Sequence, residues 1–155
     1  MNILDDRGLA RRFRDNSVPS KERFRYFLVV SVLAIILANP AILAVAPHSV
    51  PIGWDYLSLL SDTIINVVGI SVCYKTNKSG DDKEFIERMV CIGFPTIIKL
   101  SIIFIIVTLL YFIIGDIVDT NETLMSYPLI GFIAVAIFEG WFYLRLNGSI
   151  RIAAY

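Results

Sequence analysis

From residue 26 onward the chain alternates long apolar stretches with short polar ones. The longest apolar stretch, residues 90–114, carries a single charge, Lys99. At about 1.5 Å per residue it is long enough to cross a hydrocarbon core of roughly 30 Å. Three further stretches, residues 26–46, 54–74 and 127–146, have span length, about 20 residues each. Backbone polar groups in lipid must be satisfied within the segment, so all four are predicted to be helices. The expected fold is an all-α, integral membrane four-helix bundle. A cytoplasmic tail, residues 1–25, precedes a four-span domain, residues 26–155, whose loop 75–89 faces the cytoplasm.

Composition and charge support this layout. Of the 155 residues, 56% are hydrophobic, and the mean hydropathy is +0.69. The 14 basic and 14 acidic residues cancel in sum but not in placement. Arg7, Arg11, Arg12, Arg14, Lys21, Arg23 and Arg25 lie in the tail, Lys75, Lys78, Lys83 and Arg88 in the second loop, and Arg145 and Arg151 near the C-terminus. The first and third loops hold no Lys or Arg, so the positive-inside rule puts both termini in the cytoplasm. The first span is expected to stay in the chain: Ala44-Val45-Ala46 has the form of a cleavage site, but the basic region before it is long and Pro47 follows it.

Local signals refine the elements. Leu9 and Phe13 share a helical face in the tail, and Asn16-Ser17-Val18-Pro19 is expected to break that helix from the first span. Asn39-Pro40 predicts a kink in the first span. Ser79 is expected to cap a helix that carries Asp81 and Asp82 in its first turn, runs from about residue 80 to 114, and bends near Pro95. Ala136 and Gly140 form a small-residue pair suited to close helix packing.

The polar residues inside the spans pose the chemical question. Counted from the cytoplasmic ends, Lys99, Glu139 and Asn66 fall about 10–14 Å deep and Asp62 and Asn39 about 18–20 Å. A charge at a helix centre costs about 2.5–3.5 kcal/mol on insertion scales, so partners are required. Asn39, Asp62, Asn66, Lys99 and Glu139 are expected to form one buried polar network, with Lys99 paired to Glu139 or Asp62. The basic residues Arg11, Arg12, Arg14, Lys21, Arg23, Arg25, Lys75, Lys78, Lys83 and Arg88 are expected to contact anionic lipid or a cytosolic protein.

No nucleophile–base set, phosphate loop or metal motif is visible, and Cys73, Cys91 and His48 do not make a four-ligand set. The expectation is a protein that is not an enzyme, binds no cofactor or metal, and makes no direct contact with nucleic acid. Lipoprotein signal peptidases share the size and topology but need paired aspartates near the outer ends of their later spans. Small multidrug transporters carry their buried Glu in the first span, which here has no acid. In span layout, with the Arg-rich tail leading into Tyr26, the chain resembles small four-span bacterial inner-membrane proteins of conflict systems, namely the Kiwa phage-defence membrane subunit and colicin-type immunity proteins. That resemblance implies a multi-pass protein of the bacterial inner membrane. The small-residue stripe Ser31, Ala34, Ala38 and Ala41, with Ala136 and Gly140, exceeds what one four-helix protomer needs, so a homo-oligomer is expected, acting as a scaffold or sensor for a cytosolic partner. The alternative is a small ion or proton channel or transporter built on Asp62, Lys99 and Glu139.

Overall fold

A computed structural model describes residues 4–37, 53–117 and 128–155. These residues form five helices and no strand: α1 (Asp6–Arg14), α2 (Ser20–Leu37), α3 (Gly53–Ser79), α4 (Phe85–Ile117) and α5 (Pro128–Ala154). Two stretches, Tyr56–Ser79 of α3 and Phe85–Val107 of α4, are long and apolar enough to cross a membrane.

The break expected before Pro19 is present and has a clear cause. Asp5 caps α1 by accepting from the Gly8 amide at 2.8 Å. The helix ends at Arg14, and Asn16, two residues on, takes the left-handed conformation at φ 50° that Asn tolerates. Arg12 then forks onto both carboxylate oxygens of Glu22, at 3.0 and 2.6 Å, and so fixes α1 against the start of α2. The Arg23 guanidinium lies 5.1 Å from the centre of the Phe13 ring.

The start of α4 differs from expectation. Ser79 is the last residue of α3, and its hydroxyl donates back to the Lys75 carbonyl rather than capping the next helix. Residues 80–84 form a tight turn in which Asp82 and Glu84 take positive φ, 53° and 47°. The turn is held by Arg88, whose buried guanidinium donates to Asn77 at 2.9 Å and to both oxygens of Asp81 at 2.5 and 2.6 Å. With Asp81 bound to Arg88, α4 begins at Phe85 and runs 33 residues, continuous through Pro95.

The long helices pack as a row rather than around a common axis. α2 lies on α4, α4 on α5, and α5 along α3, while α1 lies across α4 and α5. Burial also divides the row along its length. At the end that holds α1, Leu9, Phe13, Tyr26, Cys73, Ile92, Phe94, Leu146 and Ile150 form one core. Towards the other end α4 exposes Ile102 through Val107, α3 exposes Leu57, Leu60 and Ile64, and α5 exposes Ile133, Val135 and Ile137.

Glycine sets the closest approach in the α3–α5 seam. A Cβ on Gly69 would overlap the Tyr143 ring. Gly140, by contrast, has open space around it among the described residues, so the close packing expected at Ala136 and Gly140 falls instead at Gly69 and Tyr143. Gly69→Ala should therefore destabilise the protein by about 1–3 kcal/mol, because the added methyl overpacks the seam. Gly140→Ala should be neutral or mildly stabilising through its better helix propensity. Thermal melts of the two purified variants check the contrast.

Candidate functional site

Asp6 is the first residue of α1, and its side chain points into the fold with no exposed surface. Leu9, Ala10 and Phe13, at the next positions of the same face, are buried with it, so the helix docks by an apolar stripe headed by a carboxylate. Four donor contacts meet that carboxylate. Lys99 Nζ of α4 donates to Oδ1 at 2.7 Å. Arg145 of α5 donates from Nε to Oδ2 at 3.0 Å and from Nη2 to Oδ1 at 3.2 Å. The Ser149 hydroxyl donates to Oδ2 at 2.9 Å. Burial pushes the Asp6 carboxyl up, but the hydrogen bonds from Arg145, Lys99 and Ser149 outweigh it and hold it well below the usual carboxylate range.

This geometry corrects the expected pairing of Lys99 with Glu139 or Asp62. Its partner is Asp6, 93 residues away. The reason is that the tail folds back onto the helices instead of extending from them. The signal was present in the sequence: Asp6, Leu9, Ala10 and Phe13 follow a helical 3–4 spacing behind an Asp5 cap. It was hidden by the tail's seven basic residues, which read as an orientation signal.

The remaining members of the expected network lie elsewhere. Asn39 lies outside the described residues. Asp62, Asn66 and Glu139 lie along the α3–α5 seam. There Tyr143 donates to Asn66 Oδ1 at 2.7 Å, and Asn66 Nδ2 donates to the Asp62 carbonyl at 2.7 Å. Glu139 has Asp62, a like charge, as its electrostatic neighbour, and its Oε2 is buried without a hydrogen-bond partner. Among the described residues no cation lies within ion-pair distance of either carboxylate.

The basic contact residues also divide. Arg12, Arg23 and Arg88 are used internally: Arg12 on Glu22, Arg23 on Glu84 and Glu87 at 2.7 and 2.6 Å, and Arg88 in the α3–α4 turn. Arg88 is buried and cannot serve as an outward contact. Arg11, Arg14, Lys21, Arg25, Lys75, Lys78 and Lys83 are exposed, with Arg14 also reaching Asp15. Both cysteines are free and buried, and the described residues contain no group of three His, Cys, Asp or Glu able to hold a metal.

No family model, no curated protein and no solved structure matches the chain.

Removing Asp6 leaves two cations facing each other across the α4–α5 seam. Asp6→Asn should cost about 3 kcal/mol, the lower part of the range for breaking a buried pair, since both cations keep some contact with solvent. For a chain of this size that is a fall of about 6–12 °C in midpoint. Because the folded carboxyl titrates below its unfolded value of about 3.9, its contribution is complete above that pH and is lost as pH falls through the folded value. Glu22 and Asp81 are held low by Arg12 and Arg88 in the same sense. Melts between pH 6 and pH 2 should show wild type losing stability below about pH 4 and Asp6→Asn losing less.

Proposed function

We propose that the chain is a four-span inner-membrane protein with both termini in the cytoplasm. In this reading it is a non-enzymatic, homo-oligomeric subunit that serves as membrane scaffold or sensor for a cytosolic protein, in phage defence or toxin immunity. The observation that carries the reading is the lengthwise division of burial. One end is packed and ion-paired as a water-facing domain is, and the other displays Ile, Leu and Val where only lipid or another apolar surface makes exposure tolerable.

The row arrangement supports the oligomer. It leaves apolar faces on α2, α3 and α4 that no described helix of the same chain covers. Exposed apolar side chains also occur at the ion-paired end. Phe24, Phe27 and Ile86, the last at 76% exposure, border a groove of about 320 Å³ between α2 and α4. With Lys21 and Arg25 exposed on the same helix, the groove suits a protein contact.

Fusions test the topology. A fluorescent protein that folds only in the cytoplasm should be bright at either terminus, and an alkaline phosphatase that works only outside it should be active when fused after residue 50 or residue 121. The opposite pattern rejects the orientation, and light scattering of a monomer in nanodiscs rejects the oligomer.

A second reading, an ion or proton channel, is favoured by one observation, the unpartnered Glu139 Oε2 beside Asp62. If it holds, liposomes bearing the protein leak ions and Glu139→Gln alters the leak. A wild-type flux no greater than that of empty liposomes rejects it.

A further inference from the structure

The Asp6 cluster is not neutral. One carboxylate meets two cations, so the group carries one net positive charge, and no second acid lies within ion-pair distance among the described residues. The cations also have donors to spare. A lysine ammonium has three N–H groups and a guanidinium five. Lys99 uses one of its three on Asp6 and Arg145 two of its five. Both side chains stay about one third exposed, 33% and 31%, whereas Asp6 is sealed at 1%. The carboxylate is therefore fully occupied while the cations present unsatisfied charge outward.

The level of these cations along the helices is informative. On α4, residues 91–96 and Leu100 are buried, and the run from Ile102 to Val107 is exposed and apolar. On α5 the exposed apolar series ends at Leu144, and the buried series begins at Leu146. Lys99 and Arg145 thus sit where both helices change from protein-packed to apolar-exposed. Trp141, one turn before Arg145 and 47% exposed, is a residue type that collects at membrane interfaces. If the burial switch marks the membrane boundary, Lys99 lies at that boundary and α4 from Leu100 to Ile117 is left to cross the hydrocarbon. That is 18 residues, or about 27 Å.

We propose that Lys99 and Arg145 form a binding site for the phosphate of an inner-leaflet anionic phospholipid, with Asp6 holding both cations in place from the protein side. The inference rests on the membrane reading above. An anionic headgroup cancels the surplus charge, accepts the spare N–H donors, and lies at the level where the side chains emerge. A zwitterionic headgroup brings its own cation and neutralises less.

The test is the thermal midpoint of the full chain in nanodiscs of phosphatidylcholine alone, in nanodiscs with one quarter phosphatidylglycerol, and in phosphatidylcholine with inorganic phosphate added. Incorporation into phosphatidylcholine nanodiscs checks the membrane reading by itself, since it needs no anionic lipid. Phosphatidylglycerol should raise the wild-type midpoint by about 3 °C or more over phosphatidylcholine, as a ligand bound to the folded state alone does. The triple variant Asp6→Asn/Lys99→Gln/Arg145→Gln replaces every charge by a near-isostere and leaves no orphaned ion, so it should fold and lose the gain. Asp6→Asn should show a larger gain than wild type, because the phosphate then offsets two uncompensated cations. Arg7→Gln, a charge change on the same helix outside the cluster, should keep the gain. Equal midpoints in the two lipids, a gain that survives in the triple variant, or equal loss in Arg7→Gln overturns the site. A gain matched by inorganic phosphate overturns the lipid as its ligand.

Discussion

The burial of one carboxylate between two cations holds the protein's packed end together. Sealing Asp6 from water costs several kcal/mol unless charge and hydrogen bonds replace its hydration. Lys99, Arg145 and Ser149 supply that replacement from two different helices. The dependence runs the other way as well. Without Asp6, an ammonium and a guanidinium would face each other across the α4–α5 seam with no anion between them. The α1 helix is thus both a guest on the row of long helices and the element that lets two of them approach.

Other contacts at the same end follow the same logic. Arg12–Glu22 ties α1 to α2, Arg23 reaches from α2 to Glu84 and Glu87 at the start of α4, and Arg88 closes the turn between α3 and α4. Each pair joins elements that the apolar core also joins, with Tyr26 against Phe94 and Tyr74 against Phe85 at edge-on ring contacts. The outcome is a small, ion-stapled unit from which apolar helices project. A displacement of α1 cannot occur without uncovering Lys99 and Arg145.

The α3–α5 seam works by a different rule. Gly69 lets the Tyr143 ring approach closely, and the ring's hydroxyl reaches Asn66. Asn66 is satisfied there by Tyr143 and a backbone carbonyl, whereas Glu139 Oε2 and Asn147 Oδ1 are buried without a hydrogen-bond partner. Asp62 and Glu139 are therefore not ion-paired to Lys99, whose partner is Asp6.

By itself the sequence determined the helical class, the position of the long apolar helices and the break before Pro19. These are local or one-dimensional properties: a long apolar stretch and a Pro act wherever the rest of the chain goes. Only the tertiary structure decided which charges meet. Lys99 had two candidate acids on neighbouring helices, and an ion pair depends on a few ångströms of approach that residue spacing does not encode. The tail's fold-back onto α4 and α5 brought Asp6, 93 residues distant, into that range. Tertiary contacts likewise made Arg12, Arg23 and Arg88, expected as outward contact residues, into internal staples. The start of α4 was decided the same way: Ser79 followed by Asp81 has the form of a helix start, but a buried guanidinium from Arg88 outcompetes a local cap for the carboxylate.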